Sequence, residues 1–224
     1  LFPDLLTERL YNPENAIVHR NEADVVRTAA MYLIHPVCQA LHVDPSATGR
    51  FASQAEDDSA DGLRTDITYY KSIPGGSRAF AIVEFKRRTV IREKELNDAI
   101  KTFDPNGHNN ARIRQDILNN VPAISQAGQT HRSYFLAGSH RLLRQASAYA
   151  IEHRTRYVAL FDYDHLVCIY FPELDHRQPT ASLVTANGGV GDYAELDVYP
   201  FSDSHLMRKA LLGFLEDAYT NTPH

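Results

Sequence analysis

These 224 residues contain no tryptophan, two cysteines and two methionines, and no apolar run approaches the roughly 18–20 residues that a membrane-spanning helix needs. A helical span within the chain is therefore excluded, and no membrane partner is expected. With only Cys38 and Cys168, both in apolar segments, the chain lacks a disulfide framework and a cysteine metal-ligand spacing. The pair reads as buried thiols, compatible with a reducing compartment. No secretory leader is visible, though the sequence starts at Leu1 without a methionine; the expected location is intracellular, the nucleus included. A phosphate loop is also lacking: Gly188, Gly189 and Gly191 come without the required Lys and Ser/Thr and without a flanking strand and helix in the required order.

What is present is a 43% hydrophobic complement, enough to bury a sizeable core. Acidic residues outnumber basic ones to a net charge of -5, but the excess is unevenly spread. Residues 86 to 156 carry 13 Lys and Arg against 6 Asp and Glu, a net +7 that leaves -12 for the remainder. Such a basic band suits a phosphodiester partner, because phosphate contacts supply most of the affinity and steering. Solvated helix faces are the plainer explanation for many individual cations.

The chemistry concentrates between Arg64 and Arg88. Pro74, Gly75 and Gly76 mark a turn between two arms rich in β-branched, aromatic and apolar residues, which predicts a hairpin. If it folds symmetrically about Gly75, Asp66 lies directly opposite Glu84. Alternation along the strand then puts Lys86 on the same face. Glu84 interrupts the run Ala79, Phe80, Ala81, Ile82, Val83, Phe85, which reads as a strand buried on both faces. An ionised carboxylate there costs several kcal/mol unless compensated. A hard divalent cation would compensate, since it takes one or two carboxylates and leaves its other positions to water and phosphate. An internal ion pair of Glu84 with Lys86 or Arg64 is the alternative.

Elsewhere the periodicity is mostly helical. Asn21 and Asp24 form an imperfect capping box before a helix to about Leu41, its buried stripe at Val26, Ala29, Leu33, Val37 and Leu41. Pro36 predicts a kink near His35. Glu22 falls on the same stripe, so its carboxylate is expected to point inward toward the acidic site, unless it serves the helix macrodipole. A short helix is expected within residues 1–20. A strand is expected over about Gly49–Gln54, followed by a solvated acidic loop at Glu56, Asp57 and Asp58. Short helices carry Leu96, Ala99, Ile100 and Phe103, then Ile113, Ile117 and Leu118; Ile124–Gln129 is ambiguous. A helix over about Ser139–His153 has Leu142, Ala146 and Tyr149 on one stripe, with Gln145 one turn below Tyr149. Strands over Arg156–Tyr163 and Leu166–Phe171 meet at a turn where Asp162, Asp164 and His165 read as turn chemistry rather than metal ligands. Ser204 is read as the cap of a last amphipathic helix, Leu206–Tyr219.

Asp66, then Glu84-Phe85-Lys86, then Gln145-x-x-x-Tyr149 on a helix, in this element order, resembles the PD-(D/E)XK nuclease superfamily, the restriction-endonuclease-like fold. The glutamine helix is similar to that of its RecB-like branch, and within the superfamily the chain looks closest to fungal nuclease-like domains. Thr65 stands where the motif has a proline, which many members lack. The resemblance implies an α/β fold, a three-layer α/β/α sandwich around a mixed sheet, forming one nuclease-like domain over 1–224. Its core would span about 22–171, with 172–224 packed on it as a C-terminal loop and helix. It further implies a metal-dependent phosphodiesterase acting on nucleic acid, DNA rather than RNA. Asp66, Glu84 and the Phe85 carbonyl would hold Mg2+ or Mn2+, and Glu22 would complete the metal site. Lys86 would orient water and stabilise developing charge, and Gln145 would hydrogen-bond near the site. Tyr149, Arg87, Arg88, Arg112, Arg114, Arg141 and Arg144 would contact substrate. A homodimer is compatible with this fold, and a nuclease-like domain that binds nucleic acid or protein without cutting is the alternative. His108-Asn109-Asn110 lacks the ββα-metal pattern of a His-Asn-His enzyme.

Overall fold

The computed structural model describes residues 6, 10, 19–43, 51–58, 64–101, 110–126, 129–135, 137–175, 177, 190, 191 and 193–223. The expected helix within 1–20 and the His108-Asn109 pair lie outside them, apart from Leu6, which is helical, and Leu10, which is buried. Internal contacts divide the chain into Leu1–Ile91 with Gln145–His224, and Arg92–Arg144.

In the larger unit, Asn21 caps helix α1 (Glu22–Ala29), and the capping box with Asp24 is complete. Pro36 has no N–H to offer the carbonyl four residues back. The chain widens into a π-helical turn over Ala30–Ile34 before α2 (His35–Val43) resumes. The carbonyl it cannot serve, that of Tyr32, accepts instead from Nε of the buried Arg208 at 2.6 Å. Arg208 belongs to the C-terminal helix, which runs from Ser204 to Asn221. Ser204 is that helix's first residue; the N-cap is Asp203.

The sheet of this unit has six strands. Three form the expected meander: β1 (Phe51–Asp58), β2 (Arg64–Ile73) and β3 (Gly76–Phe85). The acidic run Glu56, Asp57, Asp58 belongs to β1 instead of a loop, because β2 continues to pair with it out to Asp58↔Arg64. After the smaller unit, β6 (Tyr157–Phe161) lies parallel to β3, and β7 (His165–Tyr170) antiparallel to β6. A strand not foreseen from sequence, β8 (Glu195–Pro200), closes the far edge against β7, so the sheet extends beyond residue 171. Its six residues include Asp197 and Pro200, too few and too polar to stand out among loop residues.

Alternation sorts the sheet into two faces. Ala81, Val83 and Phe85 of β3, with Tyr157, Ala159 and Phe161 of β6, join a core built with α1, α2 and the C-terminal helix. The intervening residues, including Glu84, face the other way, toward Gln145 and Tyr149. These lie on the helix Ala137–Glu152. The architecture is the expected α/β one, a mixed, mostly antiparallel sheet flanked by helices as a three-layer α/β/α sandwich.

The smaller unit holds α3 (Glu93–Ala99), α4 (Asn110–Asn119) and a hairpin of β4 (Ala123–Gln126) and β5 (Gln129–Arg132). The ambiguous stretch at Ile124–Gln129 is this hairpin. The start of α5 (Ala137–Glu152) also belongs here, and its Ser139 N–H donates to Glu95 Oε2 at 3.0 Å, an acid well placed at a helix N-terminus. The C-terminal helix, Ser204–Asn221, is hereafter α6.

Candidate metal centre

Hairpin register decides whether two acids can share a ligand. Near the turn, Ile73 pairs with Gly76 and Lys71 with Arg78. Continued unbroken, that register would set Asp66 against Val83 and send it to the opposite face from Glu84. A β-bulge intervenes: Tyr70 pairs with Ala79 but Tyr69 with Ala81, so Phe80 is the additional residue. Phe80 and Ala81, though consecutive, both enter the same core cluster. Beyond the bulge the ladder runs to Ile67↔Val83, one step short of Asp66 and Glu84. The partners expected from symmetry about Gly75 are thus correct beyond the bulge and one residue out near the turn. The bulged carbonyl of Phe80 accepts from the buried Thr155 hydroxyl at 2.6 Å.

At the end of the hairpin, Asp66 Oδ2 accepts the Phe85 N–H at 2.6 Å. Glu84 is 4% exposed, as the apolar run predicted. Its Oε1 accepts from Lys86 Nζ at 2.5 Å, Tyr149 OH at 3.0 Å and Gln145 Nε2 at 3.1 Å. Gln145 Nε2 also lies 2.5 Å from Tyr149 OH. Oε2 is buried and has no hydrogen-bond partner. Burial raises the Glu84 pKa and the Asp66 charge adds to it, while the Lys86 charge and the hydrogen bonds from Lys86 and Tyr149 oppose the rise. Burial, then the Glu84 charge, raises that of Tyr149 as well. The ion pair of Glu84 is thus with Lys86, and it uses one carboxylate oxygen and leaves the other.

An orphaned buried carboxylate oxygen beside a second carboxylate fits a hard divalent cation, which needs few protein ligands. Among the described residues no group of three or more His, Cys, Asp or Glu forms a fuller ligand set. Glu22 does not point inward. Its side chain is exposed in the first turn of α1, because that turn precedes the first buried residue, Val25.

The basic candidates separate. Arg87 is exposed directly after Lys86. Arg88 donates from Nε to Asp164 Oδ1 at 2.8 Å, a structural tie. Arg112, Arg141 and Arg144 are exposed on helices of the smaller unit; Arg114 lies on α4, its side chain outside the described set. The hairpin-tip acids are turn chemistry, as expected. Asp162, fully buried, accepts N–H groups from Asp164 at 3.1 Å, His165 at 2.9 Å and Ile91 at 2.8 Å. The Lys86 N–H donates to Phe161 O at 2.8 Å, so the segment carrying the arginines after the acid-x-Lys triplet is held at one end by Phe161 and at the other by Asp162. Sequence reasoning missed Thr155 and this anchoring role of Asp162, since neither partner is local. Comparison of the chain with known protein families, characterised proteins and solved structures gives no match.

Proposed function

We propose that the chain is a divalent-metal-dependent phosphodiesterase, a nuclease of the PD-(D/E)XK type with DNA as its expected substrate. The observation that carries this reading is the unpartnered Oε2 of buried Glu84, set in a site with Asp66 and Lys86. Glu84, Asp66 and the Phe85 carbonyl would hold Mg2+ or Mn2+, which when bound makes water a nucleophile near neutral pH and neutralises charge on the scissile phosphate. Gln145 and Tyr149 fix Glu84 through Oε1, so Oε2 is presented in one orientation. Lys86, held on Glu84, supplies an ammonium for the negative charge that develops on phosphate oxygens. Arg87, exposed beside it, is positioned for a backbone phosphate.

The test is cleavage of plasmid, single-stranded DNA and RNA with Mg2+ or Mn2+ and with chelator, alongside Asp66→Asn and Lys86→Ala. Metal-dependent cutting lost in both variants is expected; variants that cut as well as the parent would end the enzymatic reading. A second reading, a nuclease-like domain that binds without cutting, draws on the small acid set: two carboxylates with Glu22 exposed. It predicts salt-sensitive DNA binding without cleavage under any metal.

A further inference from the structure

At the opposite end of β3 from Glu84, a small open depression is lined by Arg78, Arg154 and Arg156 together with Asn221 and Thr222. Arg78 precedes Glu84 by six residues on one strand, so roughly 20 Å separates the two places. No carboxylate among the described residues forms an ion pair with any of the three arginines. Arg156 donates from Nε to Leu174 O at 2.8 Å, a neutral acceptor. The acid within this region, Asp217, is taken by the Tyr157 hydroxyl at 2.8 Å and by Asn221 Nδ2 at 2.8 Å. Arg78 also stands directly opposite Lys71 in the β2–β3 ladder, a like-charge pairing that costs stability.

Two carbonyls at the C-terminal end of α6 already have a cation, because Lys71 Nζ donates to Tyr219 O and Thr222 O, both at 2.9 Å. Arg154 follows α5 in the left-handed region, with φ of 51°, where a helix end favours glycine. The Thr155 N–H closes the turn onto Ala150 O at 3.0 Å. Arginine is strained there where glycine would not be. The depression has space for about one water-sized group.

We infer that Arg78, Arg154 and Arg156 form an anion site for a phosphate group, separate from the carboxylate centre. The inference rests on guanidinium–phosphate chemistry and not on the nuclease reading. The phosphate could be free or part of a nucleic-acid backbone, and the two probes below distinguish these sources.

The decisive variant is Arg154→Gly, which relieves the left-handed strain while removing one cation. Thermal unfolding of the full chain is followed with and without inorganic phosphate, and binding of a fluorescent single-stranded oligonucleotide is measured at fixed salt. Parent protein is expected to melt higher as phosphate is added. Arg154→Gly is expected to melt roughly 2 °C higher than the parent without ligand. It should also bind phosphate about tenfold more weakly, as should Arg78→Ala. Arg27→Ala removes an equal charge elsewhere and should leave binding unchanged. Oligonucleotide binding weakened in the same variants while inorganic phosphate has no effect assigns the site to a polymer backbone; competition by inorganic phosphate assigns it to a single phosphate group. Arg154→Gly melting higher with binding of both probes unaltered overturns the inference, as does a parent protein that binds neither.

Discussion

Lys71 and Glu84 are buried ionisable side chains of the same hairpin, 2% and 4% exposed, yet they are satisfied in different ways. Lys71 donates to two carbonyls at the end of α6 and lies 4.5 Å from the Tyr219 ring centroid. Asp162, fully buried, is similarly provided for by three backbone N–H groups. Glu84 receives three donors on one oxygen and none on the other. A charge placed for stability is surrounded by complementary groups, because each missing partner costs free energy. The half-provided carboxylate is the feature on which the proposed metal site rests.

The strongest challenge to this contrast is to remove the acids. Asp66→Asn and Glu84→Gln should each lower metal-dependent cleavage on the order of 10^3-fold, while the fold survives, as circular dichroism would show. Glu84→Gln sharpens the contrast through pH. Because burial raises the folded-state pKa above the ordinary 4.5, the native protein holds a proton that the unfolded chain has released. Stability of the parent should therefore fall as pH rises from 4.5 through the raised pKa, then level off, by about 1.4 kcal/mol per unit of elevation. The glutamine variant should lack that slope in denaturant unfolding measured with chelator present.

Lys71→Met should behave in the opposite manner, losing about 2–4 kcal/mol by denaturant unfolding because two carbonyls lose a charged donor. If it is as stable as the parent, the distinction between the two kinds of buried charge fails. Thr155→Val, which strips the hydroxyl from the bulged Phe80 carbonyl, should cost about 1–3 kcal/mol and loosen Mn2+ binding, with Thr155→Ser recovering both. Glu22→Ala is expected to do least, within about 0.5 kcal/mol in stability and without measurable loss of cleavage. A large loss there would restore Glu22 to the proposed metal site.

Local patterns were legible wherever the cause was local. Asn21 and Asp24 announced a capped helix, Pro36 a helix irregularity, and Pro74-Gly75 a hairpin in which Gly75 takes a φ of 87°. The stripe through Leu142, Ala146 and Tyr149 is buried as its spacing indicates. Periodicity failed for Glu22, because a stripe continues geometrically past the point where the core ends. It also failed for Asp57 and Asp58, whose pairing is supplied by β2 rather than by their own propensity. The short edge strand β8 was invisible for the same reason.

The candidate site shows the division most clearly. Residue order and composition alone specified a buried acid followed by lysine on one strand, a second acid across a tight turn, and a glutamine and tyrosine one helical turn apart. Whether Asp66 and Glu84 share a face depends on Phe80, whose bulge shifts the register by one residue and is held by a hydroxyl 75 residues away. With a side-chain period of two, a shift of one residue reverses the face, and the hydrogen bond from Thr155 that holds the bulge exists only once the tertiary structure brings the two residues together.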